Sequence, residues 1–326
     1  MKLPFDLGYK LLFRLIIPGL IMAFGFLPLM NYYINELKFN ISLEFWFISA
    51  IVLFGWLIII LDMPIYMLFE GRRYWPKLIS EIFLEKEKLR LCHINNEIDK
   101  YYGIDKPSTI ESNKYLEASV EIKNYPIGED GSPTVRYPTR LGNAITAYET
   151  YSDSRYNINA IFYWRRIWIS LSNDVRQKID NQQTLCDSAL YSSFSAVSSS
   201  TLWLIYMFLK LIDLKSLYYL SADLPAVSIC LLISLSLIIL HRITYCAAIQ
   251  TNIQYGNIFV SVIDYSADKT QELICKEKIK SKINEMKVKI NEDPVKDDSD
   301  IDIRRYLLYN TIKIKTSKRP VPYKNK

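Results

Sequence analysis

The chain has 326 residues, of which 50% are hydrophobic and 23% are charged. It is too polar to lie wholly in a membrane and too apolar for an ordinary soluble protein, so we expect apolar spans joined to polar segments. The net charge of +6 is uneven, because residues 269–326 hold sixteen Lys and Arg against nine Asp and Glu.

The first apolar segment, residues 11–33, follows a basic N-terminus. We predict a retained membrane helix rather than a cleaved signal peptide, because no small-x-small cleavage site follows it and a second span comes soon after. Four residues within the segment are expected to bend this helix. They are Pro18, Gly19, Gly25 and Pro28. Residues 34–42 are too few for more than a tight outer turn, so the first two spans form a hairpin.

The second apolar segment, residues 43–70, is the clearest membrane span in the sequence. Its largely apolar run from Phe45 to Leu61, with its flanks, supplies the roughly 20 residues needed to cross a hydrocarbon core about 30 Å thick. A carboxylate at the bilayer centre costs about 2.5–3.5 kcal/mol on insertion scales, so Asp62, within this span, should face a partner or water. Two interpretations remain: Asp62 lies at the inner headgroups, or it lines a pore.

The central polar segment, residues 70–187, is predicted to form a separate domain. An amphipathic helix follows Pro76, and residues 118–122 are the only plausible strand. A helix over residues 139–150 is capped by Thr139.

The third span covers residues 188–212 and continues a helix that starts near Ser172, and the fourth covers residues 222–246. Residues 213–222 form the second short outer loop. Most Lys and Arg near the span ends lie on one side, which the positive-inside rule makes cytoplasmic. They are Lys2, Lys10, Arg14, Arg72, Arg73, Lys77, Arg165, Arg166 and Arg242, against Lys38, Lys210 and Lys215 on the other side. We therefore place both termini and the central segment in the cytoplasm.

The predicted fold class is mainly α: a polytopic helical membrane protein with four transmembrane helices (2+2) and a cytoplasmic α(+β) domain, assembled as a symmetric homo-oligomer. The domains are a first transmembrane hairpin (1–69), the cytoplasmic domain (70–187), a second transmembrane hairpin (188–246) and a cytoplasmic C-terminal helix with a basic tail (247–326). The helix is expected to end near residue 291. The tail is either solvated and attracted to lipid or binds nucleic acid.

The sequence contains no catalytic constellation. It lacks a P-loop, a dinucleotide-binding glycine pattern and a G-x-S-x-G motif. The five cysteines form no C-x-x-C pair and the two histidines are far apart, so neither a disulfide framework nor a zinc site is indicated. We therefore expect a protein that is not an enzyme and that needs no cofactor or metal.

Four side chains are candidates for lining a pore. They are Asp62, Ser195, Ser199 and Glu36. Serines in the third span either line a wet path or let the helices pack closely. Glu36, in the first outer turn, would contribute to a charged ring if subunits assemble around an axis.

A second set of candidates would bind an anion or a nucleic acid. Aromatic residues lie beside arginines over residues 163–168, and such a block either stacks bases and holds phosphates or lies at a membrane interface or in a core. The candidates are Arg136, Arg140, Arg155, Tyr156, Arg165 and Arg166. In the alternative interpretation several of them hold the domain together, and Arg140 on its capped helix ties loops in place.

Residues 137–168 carry a P-T-R-L-G-N segment, then E-x-Y, R-Y-x-I-x-A and W-x-R-x-W. The pattern rests on Pro138, Thr139, Arg140, Leu141, Gly142, Asn143, Glu149, Arg155, Tyr156, Ala160, Trp164, Arg166 and Trp168. It resembles a family of bacterial membrane proteins and is similar to the channel effector subunits of Hailong-type anti-phage defence systems. The family pattern has proline where this chain has Arg165.

The resemblance implies an oligomeric, gated ion channel of the bacterial inner membrane that acts as an anti-phage defence effector. Its expected partners are the lipid bilayer, further copies of the chain, and a DNA oligomer or nucleotide made by a partner nucleotidyltransferase. That ligand would sit on the cytoplasmic domain and keep the pore closed until infection. The alternative function is a membrane-anchored sensor or interaction protein without a conduction path.

Overall fold

The computed structural model of the protein describes residues 5–37, 42–102, 108–128, 130–156, 159–213 and 220–271. Some side chains within these ranges, including those of Glu36, Tyr156 and Arg166, lie outside the described part. The described residues are mainly helical, as predicted, and form no strand. The helices are α1 (Phe5–Leu11), α2 (Ile17–Leu37), α3 (Leu43–Ile60), α4 (Asp62–Phe69), α5 (Lys77–Tyr101), α6 (Thr109–Glu121), α7 (Arg140–Tyr156), α8 (Ala160–Ser170), α9 (Asn173–Asp213) and α10 (Leu220–Gln271).

Three helical stretches are each long and apolar enough to cross a membrane: Gly8–Met30, Asn173–Leu209 and Val227–Tyr265. The pair Glu44–Ile60 and Asp62–Phe69 passes the same test together but is bent by 67°, so it counts as a fourth candidate if the two helices form one span. α9 packs along both α10 and α2, and α2 packs on α3. The candidate spans therefore form one bundle.

The bend between α3 and α4 has a local cause in the sequence. Pro64 has no backbone N–H, and its ring would clash with the carbonyl of Ile60, four residues earlier, so α3 ends there. The proline is tolerated in the first turn of α4, where no intrahelical partner is needed. Asp62 is thus the first residue after the break.

A second irregularity lies between α1 and α2, where residues Leu12–Ile16 form a π turn. Pro18 cannot donate a hydrogen bond to the carbonyl of Arg14, and the wider turn accommodates its ring. Beyond the turn, α2 and α3 lie so close together that a Cβ at Gly19 would collide with the carbonyl of Ile51 and the backbone of Gly55. Such small residues are typical of helix contacts in membranes.

Much of the span surface is apolar and exposed. On α3 the side chains of Phe45, Ile48 and Trp56 are 62%, 63% and 56% exposed, and α9 and α10 expose similar faces. A surface of this kind is suited to lipid rather than to water.

The polar end of the molecule is built from α5 to α8 and from the ends of α9 and α10. α5 and α6 form a hairpin, in which Leu91 and Ile94 of α5 pack against Ala118 of α6. α7 packs on α10, and α8 covers α10 further along through Ile167.

The predicted strand over residues 118–122 is wrong, because these residues belong to the end of α6 and the 3₁₀ turn Ile122–Asn124. A capping box starts α6: the Ser108 hydroxyl accepts from the N–H of Glu111 at 3.3 Å, and the Glu111 carboxylate accepts from the N–H of Ser108 at 2.8 Å. The end of the helix predicted near residue 291 and the basic tail lie outside the described residues.

Candidate functional site

Five polar side chains meet at the break in the second candidate span, and we call them the charge cluster. They are Arg14 of the π turn, Asp62 and Tyr66 of α4, and Asp187 and Tyr191 of α9. Arg14 forms an ion pair with Asp187, which is only 5% exposed. Asp62 is half-buried and makes no ion pair with any residue that the structure describes. One guanidinium therefore faces two carboxylates within the bundle.

The hydrogen bonds of the charge cluster are reciprocal between α4 and α9. The hydroxyl of Tyr66 donates to Oδ1 of Asp187 at 2.7 Å, and that of Tyr191 donates to Oδ1 of Asp62 at 2.7 Å. Each helix carries an Asp followed four residues later by a Tyr, so both side chains lie on one face. Because the two faces meet antiparallel, each Asp meets the other helix's Tyr.

Sequence analysis identified Asp62 but missed Arg14 and Asp187 as its neighbours. The repeated Asp-x-x-x-Tyr spacing is the signal that could have found Asp187. Arg14 carried no comparable signal, because its position depends on the π turn. The structure also places an ion pair between Lys10 and Asp180, less than two turns from the cluster on both helices.

The serines of α9 mainly make contacts with neighbouring helices of the same chain. Ser193 contacts Nδ1 of His241 at 2.9 Å, and the hydroxyls of Ser200 and Ser234 lie 2.7 Å apart. Ser199 is fully buried and donates to the carbonyl of Ile21 at 2.8 Å. Ser195 is fully buried as well, and its hydroxyl has no hydrogen-bond partner within the described part of the chain.

The P-T-R-L-G-N segment joins the end of the second candidate span to α7. The hydroxyl of Thr139 donates to the carbonyl of Glu70 at 2.8 Å and accepts from the N–H of Gly142 at 3.0 Å, so it caps α7 as predicted. A Cβ at residue 142 would collide with that same carbonyl, which explains the glycine. Asn143 is fully buried, and its side chain hydrogen-bonds to the backbone of Arg136 and Tyr137 in the turn before α7. The junction between α4 and α7 is therefore held by Thr139, Gly142 and Asn143.

Beside this junction, the guanidinium of Arg72 is shared between two carboxylates. Arg72 contacts the carboxylates of Glu70 and Glu149, both at 2.5 Å, and its guanidinium lies 5.0 Å from the ring centre of Tyr137. Burial raises the pKa of Glu70 to about 7; Arg72 opposes the rise and Glu149 adds to it. Glu70 therefore changes charge near neutral pH, at the end of the span.

The shifted pKa of Glu70 predicts a pH-dependent stability. The folded protein binds the proton more tightly than the unfolded chain, whose glutamate has a pKa of 4.5, so this contribution is complete below pH 4.5 and is lost as pH rises through 7. Glu70→Gln, which mimics the neutral form, should raise the unfolding temperature at pH 8 and leave it unchanged at pH 5. Glu117→Gln at an exposed position of α6 is the control. Equal effects of Glu70→Gln at both pH values would contradict the prediction.

The predicted ligand residues are spread over the polar end and do not form one site. Arg140 and Arg155 lie at opposite ends of α7, about 22 Å apart along the helix axis. Arg140 pairs with Glu121 at 3.2 Å and so ties α7 to α6. The guanidinium of Arg155 lies 5.9 Å from the ring centre of Tyr151.

The remaining ligand and pore candidates are placed as follows. Arg136 and Arg165 are exposed, whereas Trp164 packs on Phe259 of α10 with 4.8 Å between ring centres. The aromatic part of that block therefore contributes to a core. The side chains of Tyr156, Arg166 and Glu36 lie outside the described part.

A cleft of about 770 Å³ opens between α5, the start of α7, and the middle of α9 and α10. Its polar end is lined by Lys86, Arg90, Arg140, Arg242 and Glu87, and its apolar end includes Phe194 and Val197. Sequence analysis did not predict this cleft, because its residues come from four distant parts of the chain. A metal site is not apparent, since no group of three or more His, Cys, Asp or Glu residues clusters within the described ranges.

Comparison of the chain with models of protein families, with curated proteins and with solved structures found no match.

Proposed function

We propose that this protein is one subunit of an oligomeric, gated ion channel of the bacterial inner membrane, with both termini and the polar end in the cytoplasm. The resemblance of residues 137–168 to channel effectors of anti-phage systems suggests this class, and a role in defence belongs to the same proposal. The charge cluster is the observation that carries it.

Charged side chains inside membrane spans are rare and usually mark the path of an ion or proton. Here the cluster coincides with two departures from regular helix, since Arg14 lies in the π turn and Asp62 follows the break after α3. Broken helices are the usual way in which membrane proteins build ion sites from backbone and side chains. Because Arg14 pairs with Asp187, Asp62 retains the uncompensated negative charge that would attract a cation.

Conduction would require several copies around an axis. The bundle of one chain is closely packed, as the contacts of Gly19 with α3 and of Ser199 with α2 illustrate. A path between subunits would leave these contacts intact and would place α4, with Asp62, nearest the axis.

The proposal predicts a specific loss of ion flux. In liposomes, Asp62→Asn should reduce cation flux about tenfold, which equals about 1.4 kcal/mol of lost cation stabilisation. Asp153→Asn, the same change at an exposed position of α7, should leave the flux unchanged. The mass of the detergent-solubilised wild-type protein should correspond to a closed ring of several copies of the chain. Equal flux through both variants would contradict the role of Asp62.

The ligand part of the proposal is tested in the same assay. A short single-stranded DNA oligomer on the cytoplasmic side should close the wild-type channel at low salt and lose effect as salt rises. Arg165→Ala combined with Arg166→Ala should weaken this closure, because Arg165 is an exposed cation on α8. Absence of closure would exclude this ligand, and closure indifferent to both salt and the substitutions would contradict its contacts with Arg165 and Arg166.

The second candidate function is a membrane-anchored sensor or interaction protein without a conduction path. The serine contacts of α9 favour it, because the hydroxyls of Ser193, Ser199 and Ser200 contact groups on neighbouring helices of the same chain. It predicts a monomer or dimer in detergent and no flux above that of empty liposomes.

A further inference from the structure

We propose that the cleft between α5 and the α9–α10 pair binds an anionic phospholipid, whose phosphate is held at the polar end while its acyl chains lie along α9. This inference is independent of ion conduction. It depends on the placement of cations and apolar side chains in one cavity that joins the candidate spans to the polar end.

The polar end of the cleft has an excess of positive charge. Four cations line it, namely Lys86, Arg90, Arg140 and Arg242, together with the single carboxylate of Glu87. Arg90 and Arg140 share a second carboxylate, that of Glu121, at 2.5 and 3.2 Å. Four cations against two carboxylates leave a surplus of two positive charges.

The surplus resides on the two cations that are free to meet a ligand. Lys86 and Arg242 are exposed, and neither forms an ion pair with a residue in the described ranges. The carboxylate of Glu87 accepts a hydrogen bond from Tyr125 at 3.1 Å, so it is held by a neighbour within the fold. Basic pockets between membrane helices are a recurrent form of phospholipid headgroup site.

The other end of the cleft suits acyl chains. Its wall on α9 includes Phe194, Val197 and Thr201, and rises about 10 Å along the helix from the first to the last. This is a large part of one leaflet, since the whole hydrocarbon core is about 30 Å thick. Beyond Thr201 the exposed side chains of Leu204 and Ile205 continue the apolar surface toward the other end of the span.

α5 contributes to the fit on the remaining side. Leu78 and Ile82 are 75% and 66% exposed, and Ile79 and Phe83 line the cleft. Trp75, at the start of this segment, donates to the carbonyl of Leu68 at 2.7 Å and packs edge-on against Phe83. An apolar helix face beside an anchored tryptophan is typical of the membrane interface, where a headgroup would lie.

Native mass spectrometry of the detergent-solubilised chain, titrated with dioleoylphosphatidylglycerol or dioleoylphosphatidylcholine, tests the proposal. The two lipids share acyl chains, so a difference in affinity reports the headgroup charge. Lys86→Gln combined with Arg242→Gln should weaken phosphatidylglycerol binding about thirtyfold, since each cation near an anionic lipid contributes roughly fivefold. Lys114→Gln with Lys123→Gln removes the same charge from exposed positions outside the cleft and should change nothing.

Two further experiments distinguish a bound phospholipid from a free phosphate compound. Ser198→Phe narrows the apolar end and should weaken binding of both lipids about tenfold, with Lys86 and Arg242 intact. An excess of glycerol 3-phosphate should not displace the lipid. Equal binding of the two lipids, equal effects of the two double variants, or displacement by glycerol 3-phosphate would each overturn the proposal.

Discussion

Replacing Asn143 with aspartate should lower the unfolding temperature of the detergent-solubilised protein by about 10 °C. Asn143 is fully buried, and its amide group makes four hydrogen bonds to the backbone. Oδ1 accepts from the N–H groups of Arg136 and Tyr137 at 2.9 and 3.0 Å. Nδ2 donates to the carbonyls of Tyr137 and Thr139 at 2.8 and 3.0 Å.

The substitution conserves shape, turns one donor atom into an acceptor and adds a negative charge. Aspartate still accepts from the two N–H groups, but its second oxygen faces two carbonyls that have lost their donor. Each buried polar group left unsatisfied costs about 1–3 kcal/mol, and the buried charge adds to that, so we expect a loss of about 3–5 kcal/mol.

Asn96→Asp on α5 is the matched control for Asn143→Asp, because it makes the same chemical change at an exposed position. It should alter stability by less than about 0.5 kcal/mol. A thermal unfolding curve recorded by tryptophan fluorescence at a fixed heating rate compares the two variants. Similar midpoints would mean that Asn143 does not hold the junction between α4 and α7.

The helices could be predicted from the sequence where local chemistry decides. The long apolar runs gave the candidate spans, and Thr139 gave the start of α7 because its hydroxyl caps the next turn. The strand prediction failed because the composition of residues 118–122 does not distinguish a short strand from the end of a helix. The Ser108 capping box and the burial of Ala118 against α5 require a helix there.

The sites could be predicted only in part, since they depend on contacts between distant residues. Asp62 stood out as a carboxylate in an apolar run, yet its partner Tyr191 lies 129 positions away. The P-T-R-L-G-N segment was prominent as a pattern, but only the structure shows Thr139 and Asn143 binding backbone. The ligand arginines failed to converge because Arg140 and Arg155 are separated by the whole length of α7.

Arg14→Met should be the most destabilising single change in the charge cluster, by about 3–5 kcal/mol, because it leaves the buried carboxylate of Asp187 without its cation. Adding Asp187→Asn should restore most of this stability. Asparagine is neutral, and its amide oxygen still accepts from the hydroxyl of Tyr66. Thermal unfolding of the wild type, the two single variants and the double variant gives the coupling energy of the pair.

The neighbouring ion pair, between α1 and α9, supplies a control. Lys10 and Asp180 are 29% and 38% exposed, so the cycle of Lys10→Met and Asp180→Asn should give a coupling energy below about 1 kcal/mol. A coupling as weak for Arg14 and Asp187 would contradict the proposed charge balance. A strong coupling assigns Arg14 to Asp187 and leaves Asp62 as the unpaired carboxylate. Asp62→Asn keeps an acceptor oxygen for the hydroxyl of Tyr191, so a loss of flux in this variant would follow from the missing charge and not from a collapsed bundle.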